Sequence, residues 1–152
     1  MTHARSVVRG CVALLLSCAA GTPKTDRIQR WGDLELVLDS TLSIAHRCPA
    51  PDYCYSEVRN EREAVATFSL SLGCDEVRLY PTVESASPPE HWLVAGRKAN
   101  VQRFKWTASR WGFHGVIDAD RFGKSELCFS AVADHPKKLA AARALVEMLH
   151  LW

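Results

Sequence analysis

The sequence lacks a long hydrophobic run, a strong charge excess and any internal repeat. Its apolar run at residues 11–20 spans only ten residues, whereas a helix needs about 20 apolar residues to cross a bilayer. The formal net charge of +2 falls to near zero once the basic residues of the N-terminal segment are set aside. Nucleic-acid-binding domains carry a basic excess or stripe, so we expect no nucleic-acid partner.

Recognisable catalytic and metal-binding motifs are also missing. The chain contains neither a Gly-x-Ser-x-Gly elbow nor a His-Glu-x-x-His zinc motif. Residues 118–123 begin like a calcium loop, but Phe122 and Phe129 stand where oxygen ligands are needed, which favours a solvated turn. Cys48 and Cys54 are spaced too widely for a typical zinc pair. We therefore predict no metal and no cofactor, and we favour a protein that is not an enzyme.

The N-terminal segment has the layout of a secretory signal peptide. Arg5 and Arg9 precede the apolar run, and small residues close it at positions 17–21. A buried helix of a cytosolic domain should be amphipathic, but this run is apolar on all sides. Export is therefore the favoured interpretation.

The end of this run, Leu-Leu-Ser-Cys at residues 15–18, resembles the lipobox of bacterial lipoproteins. The resemblance implies that residues 1–17 are removed and that diacylglycerol is joined to the Cys18 thiol. Multiple acylation would hold the protein stably on a membrane, and Ala19 implies the outer membrane where one exists. The alternative is ordinary cleavage after Ala20, which would give a non-lipidated secreted or periplasmic protein.

The mature chain is long enough for one domain. Removing residues 1–17 from the 152-residue chain leaves 135 residues, within the usual size of a single domain. Residues 18–30 are polar and predict a tether between lipid and domain. Residues 31–152 then form a single globular domain.

The remaining cysteines support export. An even number in a small exported domain predicts two disulfides, here formed by Cys48, Cys54, Cys74 and Cys128. Three pairings are possible, and buried free thiols are the alternative. We favour Cys48 with Cys54, because the short proline-rich segment between them can fold back, and this leaves Cys74 with Cys128.

Alternating apolar and polar residues predict an antiparallel sheet. Strands are expected at residues 34–38 and 66–72, around residues 77–83 and at residues 91–95, with a loop at 45–60. Residues 101–133 predict a three-stranded meander with turns at 108–109 and 120–123.

The C-terminus predicts a helix, with Asp134 as its cap and Pro136 in its first turn. Leu139, Ala142 and Val146 recur at helical spacing. The expected fold is α+β: a meander-rich antiparallel β-sheet with a C-terminal α-helix packed on one face.

A hairpin that turns at residues 108–109 would pair Trp106 with Trp111 and Phe104 with Phe113. We expect these aromatic rings to pack under the helix. The residues that would then point from the opposite face form a candidate binding face for an anionic group: Arg103, Lys105, His114 and Ser130. A merely solvated sheet face is the favoured alternative, and exposed aromatics that stack on a sugar are another.

The favoured function is a membrane-anchored envelope lipoprotein whose small, non-enzymatic domain binds a protein or an envelope component. The alternative is a small envelope hydrolase, with His114 as general base and a carboxylate such as Asp118 nearby. His46, His91 and His135 stand in no catalytic frame, so we expect surface or structural roles for them.

Overall fold

A computed structural model describes residues 27–71, 74, 84–85 and 88–152. The predicted signal peptide, Cys18, most of the predicted tether and the predicted strand at residues 77–83 lie outside the described residues. Within them, no helix is long and apolar enough to cross a membrane.

The described residues form short and long strands that precede, and in one case follow, a C-terminal helix. Their bounds are β1 (Ile28–Trp31), β2 (Leu34–Val37), β3 (Ser43–Ala50), β4 (Tyr53–Arg59), β5 (Ala64–Ser71), β6 (Glu84–Ser85), β7 (Glu90–Val94), β8 (Arg97–Thr107), β9 (Arg110–Asp118), β10 (Glu126–Ala133), α1 (Pro136–Glu147) and β11 (His150–Leu151).

Two antiparallel sheets hold these strands. The larger has the order β3-β4-β5-β10-β9-β8-β6, and β7 also pairs with β8. The smaller has the order β1-β2-β11. Helix α1 packs against the larger sheet through β10, β5 and β7. The α+β fold class predicted from the sequence is therefore confirmed.

The core lies between the larger sheet, the helix and the smaller sheet. Successive side chains of a strand point to opposite faces, and the face that bears Phe68, Phe113 and Phe129 is buried; we call it the helix face. Trp31 of the smaller sheet stacks on Phe68 with ring centroids 4.9 Å apart. Each buried side chain of this size contributes about 1.5–3 kcal/mol relative to exposure. We call the opposite surface of the larger sheet the far face.

Both favoured disulfides are present. Cys48 is joined to Cys54 with Cα atoms 4.1 Å apart, and Cys74 is joined to Cys128 with Cα atoms 5.9 Å apart. The first bond closes the β3–β4 hairpin, and the second ties residue 74 to the centre of the sheet. The disulfide prediction is confirmed.

The predicted loop at residues 45–60 is wrong, because these residues lie mostly in β3 and β4. Pro49 belongs to β3, the outermost described strand of its sheet. A proline is tolerated in an edge strand because no inner ladder bond is lost there.

Two predicted element ends also need correction. Strand β1 begins at Ile28, so it includes the last three residues of the predicted tether. The cap of α1 is His135, whose Nδ1 accepts a hydrogen bond from the Lys137 backbone N–H at 3.1 Å. Asp134 instead forms an ion pair with Lys138 at 3.0 Å.

Candidate binding cleft

A β-bulge in the β8–β9 hairpin decides which side chains share a face. At the turn, Thr107 pairs with Arg110 as predicted, but the register shifts between Lys105 and Thr107. Phe104 consequently lies opposite Gly112, and Phe113 lies opposite Arg103. The predicted aromatic pairs of this hairpin are therefore wrong. The expectation that all four rings pack under the helix is wrong as well: Phe104 lies on the far face, and Trp106 and Trp111 are exposed.

The bulge separates the four residues of the predicted binding face. Residues directly opposed in an antiparallel pair project to the same side, so Arg103 lies on the helix face with Phe113. Its Nε donates to Glu90 Oε1 at 2.5 Å. Lys105 lies opposite Trp111, with Nζ 5.3 Å from a ring centroid of the indole.

The structure does bring His114 and Ser130 together on the far face. They are direct partners on β9 and β10, and both are buried, His114 being only 5% exposed. Gln102 lies opposite His114 on the other side, and Thr67 lies opposite Ser130. A row of polar side chains thus crosses four adjacent strands.

Three members of this row, Thr67, Ser130 and His114, line a cleft of about 350 Å³, which is within the usual range for small-ligand sites. Strand alternation places every second residue of β4 and β5 along it. The described lining residues that argue for binding are Tyr53, Tyr55, Glu57, Thr67, His114 and Ser130. We call this the far-face cleft.

The far-face cleft is polar but has little free charge. Thr67 Oγ1 and Ser130 Oγ are 2.6 Å apart and share a hydrogen bond. Glu57 accepts from Arg59 at 2.9 Å and lies 3.5 Å from Arg47, so its carboxylate is balanced by two guanidinium groups.

An aromatic wall adjoins these polar groups. The rings of Tyr53 and Tyr55 have centroids 5.6 Å apart and are tilted by 40°. Each ring offers both an apolar surface and a hydroxyl group. Hydroxyl, imidazole and phenol groups beside a neutralised carboxylate can hydrogen-bond and stack on a ligand.

The proposed catalytic pair of His114 and Asp118 is not assembled. Both residues lie on β9, four positions apart, which corresponds to about 13 Å along a strand. General acid–base partners must come within about 3 Å of a shared proton or be bridged by one water. Asp118 therefore cannot act directly with His114 in this geometry.

The other histidines lie apart from the cleft row. His46 Nδ1 is 3.1 Å from Ser56 Oγ, His91 is exposed on β7, and His135 caps α1. His150, which the sequence did not single out, is 3.2 Å from Glu35 Oε1. Among the residues that the structure describes, no group of three or more His, Cys, Asp or Glu side chains is placed to hold a metal ion.

The residues that resembled a calcium loop form a closed turn. Asp120 accepts backbone hydrogen bonds from Lys124 at 3.0 Å and Phe122 at 2.7 Å, and Ser125 donates its hydroxyl at 2.7 Å. These hydrogen bonds lower the pKa of Asp120 to about 2. The bond from the Lys124 backbone has the largest effect, and the bond from the Ser125 hydroxyl has the next largest. The carboxylate thus organises its own turn.

Comparison with protein-family models and with curated proteins gave no match to this chain.

Proposed function

We propose that this protein is a membrane-anchored envelope lipoprotein, and that its domain binds a protein or an envelope component without catalysing a reaction. The signal-peptide layout and the lipobox-like residues 15–18 support the anchor. The two disulfides support a location outside the reducing cytoplasm, because such bonds persist in oxidising compartments.

The composition of the far-face cleft is the observation that carries the binding function. It combines paired hydroxyl groups, two tyrosine rings and a carboxylate already balanced by arginine. Such a surface favours a ligand that presents uncharged polar groups beside a flat apolar surface. Asp118, the carboxylate named for the alternative hydrolase, lies too far along its strand to assist His114.

The binding role is tested by site-specific photo-crosslinking in cells. A photo-reactive amino acid at Ser69, which lines the far-face cleft, is expected to form a defined adduct with the ligand. The matched control is the same amino acid at Leu93, an exposed position on β7. Equal adducts at both positions, or none from Ser69, would refute binding in the cleft.

The variant His114→Ala separates a binder from a hydrolase. A binder is expected to form less of the Ser69 adduct, because one polar contact is lost, while its fold is kept. A hydrolase would instead accumulate the adduct or the uncleaved ligand, since the base that drives turnover is removed. Circular dichroism of the variant verifies the fold in either case.

A further inference from the structure

The larger sheet has two distinguishable ends. At the first, the Gly32–Asp33 turn contacts the chain just beyond β9: the Asp33 backbone N–H donates to Ala119 O at 2.7 Å, and Arg97 at the start of β8 holds the Asp33 carboxylate. We call this the Gly32 end. Strand β8 runs from there to the β8–β9 turn at residues 108–109, which marks the opposite end.

The β8–β9 turn carries two tryptophans and two cations, which we call the tryptophan edge: Lys105, Trp106, Arg110 and Trp111. Trp106 is 41% exposed and Trp111 is 44% exposed, and both cationic side chains are exposed. Each of these indoles is next in sequence to one of the cations.

The bulge gives this edge an indole on each side. Trp111 is two residues from Phe113 on β9, so its side chain lies on the same side of the sheet as the helix face. Trp106 lies beside Phe104 of the far face, with ring centroids 6.4 Å apart. Between them in sequence lie the small residues 107–109 and the exposed Arg110, so the turn places no other large apolar side chain between the two indoles.

The end of β10, the start of α1 and the β4–β5 turn all lie at the end of the sheet that bears the tryptophan edge. Ala133, the last residue of β10, pairs with Trp111, and α1 follows directly. Glu63 in the β4–β5 turn forms an ion pair with Lys138 of α1 at 3.1 Å. The β4–β5 turn and the start of α1 therefore lie at the end that bears the tryptophan edge.

The N-terminal end of the first described strand is directed toward this end. Strand β2 leads away from the Gly32 end, and Ser43, which follows it, pairs with Arg59 beside the β4–β5 turn. Strand β1 is antiparallel to β2, with Ile28 opposite Val37. Ile28 is thus displaced from the Gly32 end toward the tryptophan edge.

The predicted anchor is close to Ile28 in sequence. Ten residues lead from Cys18 to Ile28, and even fully extended they span at most about 36 Å. The eleven residues of β8 span about the same distance. A lipid on Cys18 would therefore keep the domain within about its own length of the bilayer.

We propose that the tryptophan edge rests in the phospholipid headgroup region of the membrane that holds Cys18. Indole rings are enriched at this depth because they are apolar with one polar N–H. Basic side chains are attracted to the phosphates of an anionic lipid surface. Trp106 and Trp111 would lie among the headgroups, with Lys105 and Arg110 against lipid phosphates.

The charge around the edge is compatible with this contact. The carboxylate of Asp134 interacts electrostatically with Arg110, but its ion-pair partner is Lys138 at 3.0 Å. Weak contacts suffice, because attachment through Cys18 makes insertion of the edge an intramolecular event with a high effective concentration. The inference thus rests on the proposed lipid anchor.

A third exposed tryptophan provides a matched control. Trp152 is 61% exposed and lies at the Gly32 end, where its Nε1 donates to Gly32 O at 3.0 Å. The Arg30 guanidinium lies 4.2 Å from a ring centroid of this indole. Trp152 therefore has the same chemistry, an indole beside a cation, at the opposite end of the sheet.

The experiment reconstitutes the full lipidated protein in vesicles of phosphatidylethanolamine and phosphatidylglycerol that contain a brominated lipid, which quenches nearby indole fluorescence. The wild type is expected to be quenched. Trp106→Ala/Trp111→Ala should lose at least half of that quenching, and Trp152→Ala should keep it. The other two of the five tryptophans, Trp31 and Trp92, are buried.

A second variant tests the same contact with both indoles in place. Lys105→Glu/Arg110→Glu changes only exposed side chains, and it should reduce quenching at least twofold in vesicles that contain phosphatidylglycerol. Unchanged quenching in both double variants, or an equal loss in Trp152→Ala, would overturn the proposal. Quenching that vanishes as protein concentration rises would instead assign the edge to self-association.

Vesicle flotation separates this proposal from the proposed function. The wild type and the tryptophan variants should all float with vesicles, whereas Cys18→Ala should not. Flotation without edge-dependent quenching refutes the membrane contact and leaves the anchor intact. A wild type that carries no lipid and does not float refutes the anchor itself.

Discussion

At the residue scale, Gly32 fixes the smaller sheet to the larger one. Its φ of +59° lies in the left-handed region, and a Cβ at this position would lie 1.9 Å from Ala119 O. The adjoining Asp33 N–H bonds to that same carbonyl group. Both the backbone conformation and the close approach therefore require glycine.

Gly32→Ala is expected to destabilise the domain by about 2–5 kcal/mol, since it combines left-handed strain with a disrupted buried hydrogen bond. Gly96→Ala is the matched control, because Gly96 has a φ of +76° but no heavy atom within 4 Å of an added Cβ. It should cost only about 1–2 kcal/mol. Equal losses in urea unfolding would contradict the close approach.

The Asp33–Arg97 ion pair predicts a pH dependence. The hydrogen bond from Arg97 holds the pKa of Asp33 below its ordinary value of 3.8. Desolvation opposes this shift, and the positive charge of Arg97 adds to it. As pH falls, the Asp33 carboxylate is protonated in the unfolded chain before it is protonated in the folded one, because its pKa is higher in the unfolded chain. The stabilisation is therefore complete above about pH 5 and disappears as pH falls through the lowered pKa.

Asp33→Asn should accordingly lose about 1–3 kcal/mol at pH 7, and its deficit relative to wild type should shrink as the pH falls below 4. Arg97→Gln is expected to show the same narrowing, because it removes the other partner. Urea midpoints at pH 7, 5 and 3 measure both. A deficit that is independent of pH would show that the charge of the pair does not matter.

At the scale of elements, the two disulfides should stabilise unequally. Cys74 and Cys128 are 54 positions apart and Cys48 and Cys54 only 6. On the chain-entropy model these closures contribute about 4 and about 2 kcal/mol. Cys74→Ser/Cys128→Ser should therefore lower the non-reducing denaturant midpoint more than Cys48→Ser/Cys54→Ser. The reverse order would contradict the loop-length explanation.

The sequence predicted those elements whose signal is local. Alternation in the meander and helical spacing of Leu139, Ala142 and Val146 are set by burial of one face, so these elements are found and the helix packs on the sheet as predicted. The β3–β4 hairpin was missed because Pro49 suggests a loop when its place at a sheet edge is unknown. With it, the Tyr53–Tyr55 wall of the cleft was missed.

No local sequence pattern indicates that the residues of the predicted binding face lie on two different faces of the sheet. The β8–β9 turn was predicted, but a bulge depends on how two strands pair and leaves no fixed residue pattern. That single extra residue transfers Arg103 to the helix face while His114 stays on the far face. A one-residue shift in register reverses every side chain, so a correct turn is not enough to predict a surface.

At the scale of the whole molecule, we propose a lipid anchor, a membrane-facing edge and a binding cleft. The tryptophan edge and the N-terminal end of β1 lie toward the same end of the larger sheet, while the far-face cleft lies on one face of that sheet. A domain oriented in this way would present the cleft alongside the membrane rather than against it. The membrane contact of the tryptophan edge depends on the proposed anchor at Cys18.

The most direct test is mass spectrometry of the membrane-fraction protein, wild type beside Cys18→Ala. We expect the wild type to begin at an acylated Cys18, and we expect the variant to carry no lipid and to leave the membrane fraction. A wild type that begins at Gly21 without lipid would instead mean a soluble exported domain. Retention of Met1 with reduced cysteines would contradict export altogether.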